Sequence, residues 1–486
     1  MPWGIGDWSF LSPVVLWVLI LIDVAIRVLA LIWIPQNRRP QTAAAWLLAI
    51  FLIPYAGILL FILLGSAHLP KKRRLKQKEI NDYLRSVPVP ESAVPTELPS
   101  RLALIAELGS RLGALPMVSG NSAEMYSDNA VQLAAMTAAI NEAERSVHVE
   151  FYILALDDTT APFFDALAAA IARGVKVRVL LDHLGSWRYP PYQRTLARLT
   201  EMGAQWRLMI PFQPLRGRIQ RPDLRNHRKL VVVDGKIGFV GSPNIIDPSY
   251  DKPGNIRRGL VWKDYLARFE GPVVTSIDAV FITDWYSETD ELLEADPVPE
   301  AAGTMDCQVL PSGPGFEGEN NLRIFNALLY SAQEKVIITS PYFVPDDSML
   351  YSITTAAQSG VHVELFVSEI GDQFLVYHAQ RSYYEALLRA GVRIFMYRKP
   401  TILHAKHITL DDDVAVVGSS NTDMRSFTLD LELSVLVRDR TFTEQLREIE
   451  DQYRATSREL TLDEWLARPL MPKVLDNIAR LTAGLQ

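Results

Sequence analysis

Two stretches of this chain, HRKLVVVDGKIGFVGSPN at 227–244 and HAKHITLDDDVAVVGSSN at 404–421, place His, Lys, Asp, Gly, Ser and Asn at identical intervals. Six identities kept in one register point to a duplicated folding unit, because a period of roughly 180 residues is far longer than a solenoid repeat. The flanks repeat too. AERSVHVEFYIL (143–154) parallels AQEKVIITSPYFV (332–344), ALAAAIARGVKVRVLLD (166–182) parallels ITTAAQSGVHVELFVSE (353–369), and LARLTEMGAQWRLM (196–209) parallels YEALLRAGVRIFMY (384–397). Helices that end in Gly and run into near-continuous apolar strands predict an α/β fold with mostly parallel, buried sheets. Two such domains are expected to pack about a pseudo-twofold axis, which brings both motifs into one cleft.

The local spacing predicts a hairpin in each copy. Asp234-Gly235 suits a two-residue type I′ turn, which sets His227 opposite Ser242 and puts Lys229 and Asn244 on the same face. Asp411-Asp412 does the same for His404, Ser419, Lys406 and Asn421. Each cluster then offers an imidazole, an ammonium, a hydroxyl and a carboxamide. That set suits a phosphate: Lys229 and Lys406 neutralise nonbridging oxygens, while Ser242, Asn244, Ser419 and Asn421 donate hydrogen bonds to them. Asp234 and Asp411 complete the motif and are grouped with its catalytic residues, although their positions also suit turn residues. No metal is expected, since each copy fixes only one histidine, no cysteine takes part, and a lysine beside it repels a cation. No cofactor is implied.

Two histidines on one phosphate can divide the work, one attacking phosphorus as a neutral imidazole and the other protonating the leaving oxygen. Such imidazoles need orienting partners. Asp264 in VWKDYLARFEGP and Glu432 in LDLELSVLV follow the motifs, and each is expected to bond the far nitrogen of the histidine in its own copy.

The first seventy residues have a different composition. FLSPVVLWVLILIDVAIRVLALIWI and TAAAWLLAIFLIPYAGILLFILLGS, about 10–34 and 42–66, are each long enough to span a hydrocarbon core of about 30 Å and predict a transmembrane helical hairpin. Asp23 and Arg27, four residues apart, can pair within the first helix. A signal peptide ending near Ala43-x-Ala45 is the rival reading; the apolar run is too long for one and lacks a basic leader. KKRRLKQK after the second helix outweighs the two arginines of QNRRPQ, so the positive-inside bias places both chain ends and the catalytic domains on the cytoplasmic side. The same cluster can attract anionic headgroups. The single Cys307 forbids an internal disulfide, and a net charge of -7 argues against nucleic acid as a partner.

On the paired H-x-K-x4-D motifs with their G-S-x-N extensions, the chain resembles the phospholipase D superfamily. Within it the chain is similar to the bacterial cardiolipin synthases, on the N-terminal apolar pair, WKDYLARFEGPVV (262–274), SPYFVPDD (340–347) and NTDMRSFTLDLEL (421–433). The resemblance implies transfer of a phosphatidyl group between two phosphatidylglycerol molecules through a phosphohistidine, with glycerol released. It implies His227 as the nucleophile and His404 as the acid. It also implies anionic phospholipids and the bacterial inner membrane, crossed more than once, as partners. GSPN departs from the glycines that related synthases often carry at Ser-Pro. The alternatives are a phospholipase D-type phosphodiesterase that uses water and a non-catalytic lipid-binding scaffold.

The expected organisation is a hairpin over 1–70, a basic segment and linker over 71–118, and phospholipase D-like domains over 119–300 and 301–486. Arg216, Arg218, Arg221, Arg225 and Arg228 form a basic loop that is either solvated or docks headgroups. MPKVLDNIARLTAGLQ predicts a C-terminal helix packed on its domain, with an interfacial helix as the alternative.

Overall fold

The computed structural model describes residues 13–482 except 37, 39, 66–70, 114, 214–220 and 317, and it divides into two compact units, Met1–His68 and Leu69–Gln486. Arg216 and Arg218 lie outside the described residues.

The first unit holds helices Pro13–Trp33, Pro40–Leu52 and Pro54–Leu64. Among the described residues only Pro13–Trp33 is long and apolar enough to cross a membrane. The second apolar run, expected as one helix, is two. Pro54 has no N–H to give and its ring crowds the preceding turn, so Ile53 leaves the helical region at φ −136°, ψ 75°. Asp23 and Arg27 pair at 3.0 Å as their spacing predicts.

In the second unit the strands of the first copy are β1 (Met117–Tyr126), β2 (Ser146–Phe151), β3 (Lys176–Asp182), β4 (Gln205–Met209), β5 (Lys229–Val233), β6 (Ile237–Gly241), β7 (Val261–Lys263) and β8 (Leu266–Glu270). Those of the second are β9 (Met305–Ser312), β10 (Lys335–Thr339), β11 (Phe343–Val344), β12 (His362–Ser368), β13 (Arg393–Tyr397), β14 (Thr401–Leu403), β15 (His407–Leu410), β16 (Val414–Gly418), β17 (Thr422–Asp423), β18 (Glu432–Arg438) and β19 (Ser457–Leu460). Fifteen of them form one sheet in the order β19-β13-β12-β10-β15-β16-β18-β9-β1-β8-β6-β5-β2-β3-β4. From β13 at one side and β4 at the other, equivalent strands follow in the same order to the centre, where β9 and β1 pair antiparallel, Val118 opposite Cys307.

The sheet is mixed, which corrects the expectation of mostly parallel pairing. Only β2–β3, β3–β4, β10–β12 and β12–β13 run parallel. Those pairs are the ones joined by crossover helices; the motif hairpins turn back through short loops, and β8 and β18 return beside them in the antiparallel sense. The hairpin register also differs by one residue. Asp234 and Gly235 take positive φ and Lys236 N–H donates to Val233 O, as a tight turn requires, but the ladder then pairs Val233 with Ile237. In the second copy Leu410 pairs with Val414. One extra residue in each loop moves every predicted partner along by one.

Three cores flank the sheet. One is shared by both copies, and helices Val273–Thr289 and Arg440–Thr456 bury Val273, Ile277, Phe281, Phe442 and Leu446 there against Val240, Phe269, Val417 and Val435. The other two belong to the separate copies, under helices such as Ala161–Ala172 and Asp347–Gln358. Each buried aliphatic or aromatic side chain contributes roughly 1.5–3 kcal/mol, so the shared core makes the two copies one cooperative body. The basic segment begins as a helix, Lys71–Arg85, whose Lys76 pairs with Asp290 at 2.6 Å and whose Arg73 pairs with Glu288. Two of its charges are thereby committed to protein.

Asp234 and Asp411 lie at the far ends of their hairpins from the histidines. The Asp234 carboxylate accepts the backbone N–H groups of Glu144, Arg145 and Ser146 at 2.7–2.9 Å, and Asp411 accepts those of Gln333, Glu334 and Lys335. Asp234→Ala orphans three donors and is expected to destabilise the protein by about 2–4 kcal/mol, with a smaller loss for the more exposed Asp411→Ala. Denaturant titration of both variants checks the size and the order.

Candidate active site

Each motif histidine is held by the other copy. His227 lies just before β5, where its N–H donates to Leu431 O at 2.8 Å and Leu431 N–H donates back to Arg225 O at 2.9 Å. The next residue, Glu432, takes His227 Nδ1 at 2.9 Å and 3.1 Å. His404 follows β14, which pairs in parallel with β7. Its N–H donates to Lys263 O at 2.7 Å, and the next residue, Asp264, takes His404 Nδ1 at 2.7 Å. The expected pairing within copies is therefore corrected: it is crossed. The segments that deliver the histidines make their backbone bonds across the boundary between copies, so the carboxylate one residue on meets the foreign imidazole.

The serines support the carboxylates. Ser242 Oγ donates to Asp264 Oδ1 at 2.6 Å and Ser419 Oγ to Glu432 Oε2, both fully buried. This differs from the expected role as phosphate donors, since each hydroxyl proton is already engaged. The preceding glycines allow this approach: a Cβ on Gly241 would lie 2.5 Å from Tyr265 O, and one on Gly418 2.2 Å from Leu433 O. Asn244 Nδ2 donates to Tyr250 OH at 2.8 Å and its Oδ1 accepts Ile153 N–H. Asn421 Oδ1 is buried with no partner among the described residues, which leaves it able to meet a ligand.

Lys229 and Lys406 are buried and donate to the carbonyls of His227 and His404. Burial brings them down to about 8 and about 7, against the pull of Glu432 and Asp264. Burial, then the two lysines, hold His227 well below its usual value, and burial with Lys406 lowers His404 as well. The carboxylates differ. Burial raises Glu432 to about 7 despite Lys229, Ser419 and Ser426, whereas His404, Lys406 and Ser242 outweigh burial at Asp264 and hold it at about 2.

Several neighbours have no counterpart in the motif. The Tyr152 ring packs edge-on to His227 at 5.0 Å and Tyr250 approaches His404 at 6.4 Å. Ser426 Oγ donates to Glu432 Oε1 at 2.7 Å. Tyr265 OH donates to Lys406 O at 2.7 Å and accepts Gly418 N–H, joining the copies under the site. Ser426 and Tyr265 were findable, since both fall in NTDMRSFTLDLEL and WKDYLARFEGPVV beside the carboxylates. Tyr152 and Tyr250 carry no such signal. Arg225 pairs with Asp182 at 3.1 Å, Arg228 with Asp284, and Arg221 with Asp223, so the described arginines of the basic loop are engaged internally. Among the described residues no group of His, Cys, Asp and Glu is arranged to hold a metal.

Two imidazoles oriented by carboxylates beside two lysines can carry out nucleophilic substitution at phosphorus, one attacking as the neutral ring and the other protonating the leaving oxygen. A family model described as cardiolipin synthase, PLD-like domain, matches residues 136–285 and 325–453. Cardiolipin synthase A of Proteus mirabilis (strain HI4320) is 33% identical over 485 residues, 97% of each chain. That of Edwardsiella ictaluri (strain 93-146) is 32% identical over 485 residues, again 97% of each. Phosphatidylserine synthase of Haemophilus influenzae Rd KW20 aligns at 14% identity with a TM-score of 0.57, over 79% of this chain and 98% of that one, a likeness of fold.

The crossed pairing has a direct test. Glu432→Gln replaces the charged acceptor of His227 Nδ1–H with a neutral amide and is expected to lower kcat by roughly 10²–10³. In ¹⁵N-histidine NMR it is expected to move the downfield ring N–H signal of His227 upfield and leave that of His404 in place; Asp264→Asn does the reverse.

Proposed function

The chain belongs to the family of phospholipase D-like cardiolipin synthases, and from that premise we propose that it moves a phosphatidyl group from one phosphatidylglycerol to the free hydroxyl of a second, giving cardiolipin and glycerol. The crossed histidine–carboxylate pairs carry this reading, because they join two imidazoles into one buried centre. Each Nδ1 faces a carboxylate, which favours the tautomer with a lone pair on Nε2. His227 Nε2 attacks phosphorus, the bond to the glycerol oxygen breaks, and His404 delivers the proton that glycerol needs. The second phosphatidylglycerol then attacks the phosphohistidine, His404 takes its hydroxyl proton, and the P–N bond breaks.

The assignment of roles rests on the unequal carboxylates. Asp264, held at about 2, stays ionised and favours an imidazolium at His404, which suits the acid. Glu432, raised to about 7, gives His227 less such support, and His227 is the more depressed of the two. Lys229 and Lys406 neutralise the nonbridging oxygens without a metal. Tyr152 and Tyr250 pack beside the two histidines and Trp262 backs Tyr250, an aromatic lining that suits a lipid alcohol as acceptor.

We read the N-terminal unit as a membrane hairpin: Pro13–Trp33 crosses, and the broken pair Pro40–Leu52 and Pro54–Leu64 returns. The largely exposed apolar side chains of all three helices support this. The basic residues after residue 70 support a cytoplasmic catalytic unit at a bacterial inner membrane. The strand order supports a pseudo-twofold between domains over 119–300 and 301–486.

Full-length protein incubated with phosphatidylglycerol in detergent is expected to yield cardiolipin and glycerol by mass spectrometry; phosphatidic acid alone means hydrolysis, and binding without turnover a scaffold. His227→Ala and His404→Ala are each expected to abolish turnover with the circular dichroism spectrum unchanged. The pH profile follows from the lysines. Protonated lysine is the active form and its fraction falls as pH rises through its pKa, so kcat/KM is expected to decline from about pH 7, where Lys406 titrates. Lys406→Arg keeps its charge and is expected to move this alkaline limb up to about 8, where Lys229 titrates.

A further inference from the structure

The C-terminal helix Leu470–Arg480 packs on its domain, as its sequence predicts, through Asp476, Ala479 and the half-buried Leu475, but leaves an apolar arc uncovered. Asp476 meets His378 and Arg468 at 2.7 Å, and Ala479 is buried. At 3.6 residues per turn Leu470, Met471, Val474, Ile478 and Leu481 fall within an arc of about 100°. That arc faces outward, with Met471 76% and Leu481 83% exposed.

The patch continues onto the helix that Asp476 grips. Phe374 and Leu375 open helix Phe374–Arg381 and are exposed too, Phe374 by 64%. Just before them Asp372 accepts Tyr342 OH at 3.0 Å, beside a small pocket lined by Tyr342, Ile370, Tyr377 and Ile402. Ile402, two residues before His404, is buried beneath this pocket, which Ser368, Gln373 and Gln380 also line. In the first copy Trp187, which follows β3 as Phe374 follows β12, is likewise exposed.

We propose that the face formed by the outward arc of Leu470–Arg480 with Phe374 and Leu375 seats in the headgroup–acyl boundary of an anionic phospholipid layer, so that lipids enter the cleft from the layer itself. Charge favours this occupant. Lys473 and Arg480 flank one side of the arc, where Lys473 Nζ donates to Leu466 O at 2.7 Å and the Arg480 guanidinium lies 4.7 Å over the Tyr383 ring, so both charges are held at that edge; the only acidic residue of the helix, Asp476, is buried and paired. Long cationic side chains beside an apolar stripe place their heads among anionic headgroups while the stripe enters the acyl region, as interfacial helices do. The proposal rests on the phospholipid reading above in naming phosphatidylglycerol as the lipid.

The test uses full-length protein in vesicles, and it is independent of turnover. The native Cys307 is buried, so Met471→Cys and Ile478→Cys carry an environment-sensitive dye at exposed positions, with Gln358→Cys as a remote control. In phosphatidylglycerol vesicles the dyes at 471 and 478 are expected to shift blue. Lipids spin-labelled near the headgroup end of the acyl chain are expected to quench them about twofold, matching insertion of ~5–10 Å, while the dye at 358 is unaffected. Equal, negligible quenching at all three positions overturns the proposal. So do dyes shielded at 471 and 478 without quenching in a particle of doubled mass, since the face is then an interface between two copies. Met471→Asp with Ile478→Asp is expected to raise KM for vesicle lipid roughly tenfold and leave kcat in detergent unchanged. Quenching without cardiolipin formation upholds the surface and removes the reaction assigned to the cleft.

Discussion

The centre depends on a carboxylate reaching across a domain boundary to hold an imidazole. Each histidine is fixed twice by adjacent residues of the other copy: its N–H by Leu431 or Lys263 O, its ring by Glu432 or Asp264. Two-point fixation by adjacent residues at a strand end sets both the position and the rotation of a ring, which a side-chain contact alone does not. The serine behind each carboxylate and the glycine before that serine extend the same chain of constraint into the sheet.

Burying two lysines, two histidines and two carboxylates together is costly unless the charges compensate. Here burial drives both lysines and both histidines toward their neutral forms, and the same low dielectric raises Glu432. Lys229 at about 8, Lys406 at about 7 and Glu432 at about 7 thereby lie near neutrality. A group poised there exchanges protons with little penalty, as a centre that alternates between attack and protonation requires. The asymmetry between Asp264 and Glu432 breaks the equivalence that duplication alone would leave.

Much of this was legible in the sequence. The repeat showed as six residues in register, and the helix–Gly–strand segments fell where the spacing predicted. What failed did so for local reasons. Mostly parallel pairing was inferred from crossover segments and wrongly extended to hairpins such as β5–β6, where short loops force the opposite sense. One residue beyond the Asp234-Gly235 turn shifted the register, and no propensity scale registers a single insertion of that kind. Pro54 was visible, but the apolar run around it masked its effect. The crossed partners of His227 and His404 were out of reach, because Asp264 and Glu432 each lie closer in sequence to the wrong histidine, and only tertiary pairing of β7 with β14 decides between them.

The exchange of partners also bears on how such a chain comes to exist. During synthesis the amino-terminal half emerges with His227 and Lys229 in place but with nothing to orient the ring, since Glu432 has not yet been translated. A chain that stops before residue 432 therefore lacks the carboxylate that bonds the His227 ring. The centre is complete only with the last third of the polypeptide, since His404, Lys406 and Glu432 all lie there.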